Sequence, residues 1–261
     1  MILGPNRIVE FSIFAITAVF TLYYLWLAVK GKNQPLRDMA QIHAIDDGVS
    51  RAVEEGKPVY MGLGSLASIS GIVSPMTISG LDVLRYTVRL CIQRGARPIL
   101  PVPINPEVQP LIEGIYREVC VAEGKPEAYD TNNVMYFGNS QRAYTLGIIG
   151  SIARTGCSLY IAVGGLSGDG DVSNSTNARI GGAITVMATA RYAHQGTIAM
   201  LADYPGWMDD VYALGAQASG DEIVKSSVMA GDVVKAIIMA LAVATVFIAL
   251  AGQPILTWLN M

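Results

Sequence analysis

Two stretches without a charged residue, one near each end of the chain, constrain the fold more than any other feature. From Phe11 to Val29 the sequence is almost entirely Phe, Ile, Val, Leu, Tyr, Trp and Ala. Extended back to Ile8, the run is long enough to cross the ~30 Å hydrocarbon layer as a helix rising about 1.5 Å per residue, with Glu10 left at its outer end. The second run starts at Ala236 and continues toward Met261. Pro254 is expected to kink or end it, and Trp258 to anchor it at the interface. Residues 8–29 and 233–259 are therefore expected to be transmembrane helices. Composition agrees: 52% of the 261 residues are hydrophobic, 15% are charged and the mean hydropathy is +0.41.

The first run is too long for a signal peptide, whose apolar part has roughly 7–15 residues, and no small-x-small cleavage pattern follows it. The second is apolar on every face, unlike an amphipathic core helix. Lys30, Lys32 and Arg37 follow the first run, and Lys225 and Lys235 precede or begin the second, against Arg7 alone on the other side. Positive residues stay on the cytoplasmic side, so an inner-membrane protein is expected, with its middle part cytoplasmic and both termini outside.

Residues 37–224 alternate between helical and extended patterns. Short apolar strands are expected at Val59–Gly62, Ile99–Val102, Val134–Phe137, Leu159–Val163 and Ile198–Leu201. Helices are expected at Arg37–Glu55, Ser79–Arg94, from Asn105-Pro106-Glu107, Ser140–Arg154, Ala178–Ala193 and from Pro205, with Asn105 as a cap. Strands separated by helices define an α/β domain: a Rossmann-like parallel sheet of about five strands, covered on both faces.

Such a sheet places its functional loops at the strands' carboxyl ends. Gly62-Leu-Gly64-Ser65-Leu-Ala67 matches the Gly-x-Gly-x-x-Ala dinucleotide pattern. The context is wrong for it. The loop runs on to Ser74-Pro75 before any helix, and the second strand ends in Pro101-Val-Pro103 with no acidic residue for a ribose. Gly164 to Asn177 reads as a long polar loop carrying Asp169 and Asp171. It fails the calcium-loop pattern, with Asn174 in place of the glycine and Ile180 in place of the final glutamate. Asn139 and Asp203 add polar groups beside other strands. Gly62, Gly64, Ser65, Asn139, Asp169, Asp171 and Asp203 are thus the candidate ligand-binding set. The same residue types also serve as helix caps.

Catalytic machinery is thin. No Gly-x-Ser-x-Gly, Walker or His-Glu-x-x-His motif is present, and His43 and His194 fall away from the expected strand ends. No metal site or particular cofactor is indicated. Cys91, Cys120 and Cys157 are widely spaced and read as buried thiols. A net charge of −3 without any basic run gives nucleic-acid binding no support.

Ala143–Ala153 and Ile180–Ala190 look like helices that are apolar or small nearly all round, which implies burial against a partner. Two functions follow. One is a membrane-anchored scaffold that self-associates or joins a larger membrane complex, with lipid and copies of itself as partners. The other is a membrane-tethered protein or enzyme for a phosphorylated or sugar-like ligand, with its site at the strand ends. Gly62-Leu-Gly-Ser65, Gly164-Gly-Leu-Ser-Gly168 and Met229-Ala-Gly-Asp-Val-Val-Lys235 together resemble an uncharacterised family of prokaryotic membrane-anchored proteins known as a domain of unknown function. The resemblance covers most of the chain and implies no activity, ligand or catalytic residue.

Overall fold

The computed structural model describes residues 8–31 and 36–250 and divides into two units, one of residues 37–220 and one formed by the segments on either side.

The flanking unit consists of two helices packed against each other, α1 (Ile8–Val29) and α9 (Glu222–Leu250). Both are long and apolar enough to cross a membrane. In α1 the apolar side chains point outward, with Phe14 69%, Val19 64% and Leu22 65% exposed, so it is not the core helix of a water-soluble fold. Along α9 the buried positions Ser226, Ala230 and Val234 recur every fourth residue, the spacing of one helix face. The kink expected at Pro254 and the anchor expected at Trp258 lie outside the described residues.

The larger unit is an α/β fold around six parallel strands: β1 (Val59–Gly62), β2 (Pro98–Val102), β3 (Val134–Tyr136), β4 (Leu159–Val163), β5 (Ile184–Thr189) and β6 (Tyr204–Trp207). Their order is β3-β2-β1-β4-β5-β6, so the chain reverses its direction of travel across the sheet between β1 and β4. Helices α2 (Ala40–Glu55), α3 (Ser74–Arg94), α4 (Gln109–Ala122) and α8 (Asp210–Ser219) cover one face. The other carries α5 (Gln141–Thr155), α6 (Gly168–Ile180) and α7 (Gln195–Leu201).

Periodicity explains most of this. The buried residues of α2, Ile42, Ile45, Val49 and Ala52 among them, fall on one stripe, and the left-handed Gly56 (φ 65°) ends the helix. Strands β1, β2 and β4 are buried at every position, as central parallel strands must be. Burial pushes the thiols of Cys91 and Cys157 up to about 12, leaving them unreactive.

The second half of the domain departs from the sequence reading. The expected strand at Ile198–Leu201 is helix α7, and the expected helix at Ala178–Ala193 divides into the end of α6, a Gly181-Gly182 turn and strand β5. A fully apolar run cannot tell a central strand from a buried helix by period alone, and here the β-branched Ile184, Thr185, Val186 and Thr189 decide for strand. The long loop expected over Gly164–Asn177 is mostly α6, and the helix expected from Pro205 is preceded by β6. Asn105 does not cap α4; its amide donates to the Ala67 carbonyl at 2.9 Å. The uniform apolarity of Ile180–Ala190 reflects a buried strand and calls for no partner subunit.

Candidate functional site

The glycines that look like a phosphate loop are spent on contact between two loops. Leu63–Ser70 follows β1 and Gly164–Ser167 follows β4, the neighbours between which the chain reverses direction. Gly165 donates its amide to the Leu63 carbonyl at 2.9 Å, and Leu66 returns a bond to the Gly165 carbonyl at 2.9 Å. A Cβ on Gly64 would stand 2.6 Å from the Gly165 oxygen, and one on Gly164 would stand 2.6 Å from the Leu63 oxygen. Both glycines also hold positive φ, +85° and +134°. The β2 side is closed as well, because Ile104 donates to the Ser65 carbonyl at 3.2 Å and Glu107 accepts from Ser68 Oγ and the Ile69 amide. Backbone fills the crevice where a pyrophosphate would lie.

Under this clasp sits a buried carboxylate. Asp171, in the first turn of α6, is 1% exposed. Its Oδ2 accepts the Ser167 amide (2.7 Å), the Ser65 amide (3.2 Å) and the Ser65 hydroxyl (2.9 Å). Ser65 Oγ also lies 2.6 Å from Ser167 Oγ, which accepts from Gln141 Nε2 at 2.6 Å. With one proton per hydroxyl, Ser65 Oγ shares its proton between Ser167 Oγ and Asp171 Oδ2, while Ser167 Oγ also accepts from Gln141. Ser65 is fully buried, so its pairing with Asp171 clamps the two loops and presents no nucleophile. Burial raises the Asp171 carboxyl above its ordinary value, against the opposing pull of the Ser167 and Ser65 donors.

The interior beside Asp171 is polar and unsatisfied. Asp171 Oδ1, both amide atoms of Asn174, Ser175 Oγ, Thr145 Oγ1 and Tyr144 Oη are buried without a hydrogen-bond partner. Asp171, Asn174 and Ser175 share one face of α6 at i, i+3 and i+4. The Tyr144 hydroxyl is 3.1 Å from where a Gly62 Cβ would be, and Thr145 Oγ1 is 2.6 Å from a Cβ built on Gly170. Burial drives the Tyr144 and Tyr160 phenols well above their ordinary range, and the nearby Asp171 adds to both shifts. Asn174 lies near the Tyr160 hydroxyl without meeting hydrogen-bond geometry. Each such orphan costs about 1–3 kcal/mol, and together they rival the whole stability of a domain. By contrast, Tyr60 in the same layer is bonded to Ser151 (2.7 Å) and Thr155 (2.8 Å).

An open groove of about 660 Å³ runs along the amino-terminal halves of α5 and α6, lined by Ser140, Gln141, Arg142, Thr145, Leu146, Asp169, Gly170 and Ser173. Arg142 is exposed there, and its guanidinium makes no ion pair among the described residues. Gly170 must be a glycine because Thr145 and Gln141 press against it. His194, in the turn after β5, lies against Gly168; burial and Arg191 hold its imidazole below the ordinary value, with Asp169 opposing.

Of the candidate set, Ser65 and Asp171 meet directly, Gly62 and Gly64 frame them, and Asp169 lines the groove. Asn139 is exposed beside Ser140, which caps α5 through the Ala143 amide. Asp203 is a correction. It precedes β6 and accepts from Thr185 at the start of β5 (3.0 and 2.9 Å), so it belongs to the opposite, amino-terminal end of the sheet. His194 is another, for it follows the carboxyl end of β5. Sequence reasoning marked Gln141 beside Asn139 as a pocket-lining amide and missed Arg142, Thr145, Asn174 and Ser175. The Asp-x-x-Asn-Ser spacing would have singled out the last two only once residues 168–180 were known to be helical. Among the described residues no three His, Cys, Asp or Glu side chains gather as metal ligands.

The fold and site define a parallel α/β domain flanked by two hydrophobic helices, with an open groove along the amino-terminal halves of α5 and α6. Residues 2–259 match the family model described as a domain of unknown function, DUF6754, and the chain belongs to that family. No curated protein and no solved structure matches it.

Proposed function

We propose that this is a membrane-anchored binding protein for a small polar ligand, phosphorylated or sugar-like, held in the groove between α5 and α6. The observation that carries the reading is the groove itself, where Arg142, without an ion pair among the described residues, and the exposed Asp169 line one surface with Ser140, Thr145 and Ser173 beside the amino end of α6. A cation and a helix amino terminus attract phosphate, while Asp169 and the hydroxyls suit sugar hydroxyls. The strand order is that of doubly wound Rossmann-like sheets, whose ligands lie at the carboxyl ends of the strands, and by analogy of fold this favours the same end of the sheet. Among the described residues no exposed nucleophile and base are paired at the groove, so binding is proposed without catalysis.

Native mass spectrometry of the detergent-extracted protein, titrated with inorganic phosphate, AMP, glucose 6-phosphate and glucose, tests this. A saturable adduct with one probe, weakened at least about tenfold by Arg142→Ala or Asp169→Ala, is the expected result. No adduct with any probe overturns it. Scaffolding is the second reading, favoured by the exposed Ile69, Ile72 and Ile78 around the start of α3, of which Ile72 is 88% exposed. A large assembly without added mass in the same spectra supports that instead.

In this reading the two hydrophobic helices span the inner membrane, which their length and apolarity support. The lysines beside them, Lys30, Lys225 and Lys235, favour a cytoplasmic α/β domain with both termini outside. A phosphatase reporter fused after Met261, active only outside the cytoplasm, is expected to be active; an inactive fusion present at normal levels reverses the orientation.

A further inference from the structure

We infer that the outer face of α1 binds an anionic phospholipid, with the phosphate on Lys30 and the ester region against Tyr23 and Trp26. The inference rests on the two helices spanning a membrane, as proposed above, and is independent of their orientation and of what occupies the groove.

Ile16, Val19, Tyr23, Trp26 and Lys30 follow one another at intervals of three and four residues, which sets them on one stripe along α1 and the turn that ends it. All five are exposed, whereas Tyr24, Leu27 and Ala28 are turned more inward. Along its length the stripe changes from aliphatic to aromatic with polar tips and then to cationic. A phospholipid changes in the same order, from acyl chain through esters to phosphate. The scale agrees as well: from Val19 to Lys30 a helix rises ~16 Å, about half of the ~30 Å hydrocarbon layer.

The polar end of the stripe is already arranged. Tyr23 and Trp26 stack with ring centroids 6.5 Å apart and planes 28° apart, and the Lys30 ammonium lies 3.6 Å from the centre of the Trp26 ring. That contact holds a long, flexible side chain on the stripe. Among the described residues the Tyr23 hydroxyl, the Trp26 indole N–H and the Lys30 ammonium take no hydrogen bond or ion pair. Three donors, one of them charged, call for an acceptor-rich anion, and phosphate with its neighbouring esters is one. Headgroup charge selects further. A zwitterionic headgroup would bring its own cation to Lys30, and the stripe has no Asp or Glu to receive it. The outward apolar side chains of the same helix, Val19 and Leu22 among them, continue the surface that acyl chains cover.

The test is fluorescence quenching of Trp26 in the full-length protein reconstituted into vesicles. Trp207→Phe and Trp258→Phe leave Trp26 as the only tryptophan. Phosphatidylglycerol and phosphatidylcholine, brominated on the same acyl carbons, are compared as minor components of unlabelled phosphatidylcholine vesicles. Half-maximal quenching is expected at an about fivefold lower mole fraction of the phosphatidylglycerol, with the difference lost in Lys30→Gln and restored in Lys30→Arg. Equal quenching by the two lipids overturns the inference while leaving the helix in the membrane. Absence of quenching by either, in protein that floats with the vesicles, shows the stripe covered by something other than lipid and also overturns it. Protein that does not float with the vesicles removes the membrane reading itself.

Discussion

Gly64→Ala is expected to destabilise the domain by about 4 kcal/mol or more, enough to leave little folded protein at 37 °C, whereas Gly95→Ala costs only about 1 kcal/mol. The two glycines have nearly the same backbone angle, φ +85° and +83°. They differ in space. Nothing lies within 4 Å of a Cβ on Gly95, while one on Gly64 would meet the Gly165 carbonyl oxygen at 2.6 Å. Both pay the left-handed penalty, but only Gly64→Ala also forces two backbones apart and strains the paired bonds of Leu63, Gly165 and Leu66. Chemical denaturation followed by circular dichroism measures the pair. Equal losses would show that the two loops are not held in contact, and with them would go the closed crevice that speaks against a dinucleotide.

Asp171→Ala is the second large effect, a loss of about 3–5 kcal/mol, while Asp171→Asn stays within about 1 kcal/mol of wild type. Alanine orphans the Ser167 amide, the Ser65 amide and the Ser65 hydroxyl at once, all in a buried setting. Asparagine keeps an oxygen where those donors converge. The pair also has a sign in pH. Because burial raises the folded-state carboxyl above 3.8, folding favours the protonated acid. The resulting cost is absent below pH 3.8 and grows as pH rises toward the folded value, so Asp171→Asn should gain on wild type over that interval. A constant difference between the two across that range would mean that the carboxyl is compensated by something other than its serine donors.

These effects sit on residues that the sequence marks only in part. Gly62, Gly64, Ser65 and Asp171 stand out by pattern, yet the pattern suggests a pyrophosphate loop and an exposed acidic loop, where the fold makes a backbone clasp and a buried carboxylate. The difference lies in contacts between segments about a hundred residues apart in sequence, Ser65 with Asp171 and Leu63 with Gly165. Asp203 fails as a site residue for a related reason. Mistaking Ile198–Leu201 for a strand moved it from the amino-terminal to the carboxyl-terminal end of the sheet.

By itself the sequence determined the two long apolar helices, the α/β class, strands β1 to β4 and the stripe of α2, because each is a local matter of hydrophobic length or period. It also marked the loops after β1 and β4 as unusual, through their glycines. Only the tertiary structure decided that α6 is a helix. Its buried face carries Asp171, Asn174 and Ser175 where a core helix would show leucines, so no hydrophobic period announces it. The same holds for β5, buried on both sides because α2 and α8 cover one face and α6 and α7 the other, and for the groove, which exists only where the sheet's right-handed crossovers set α5 and α6 side by side.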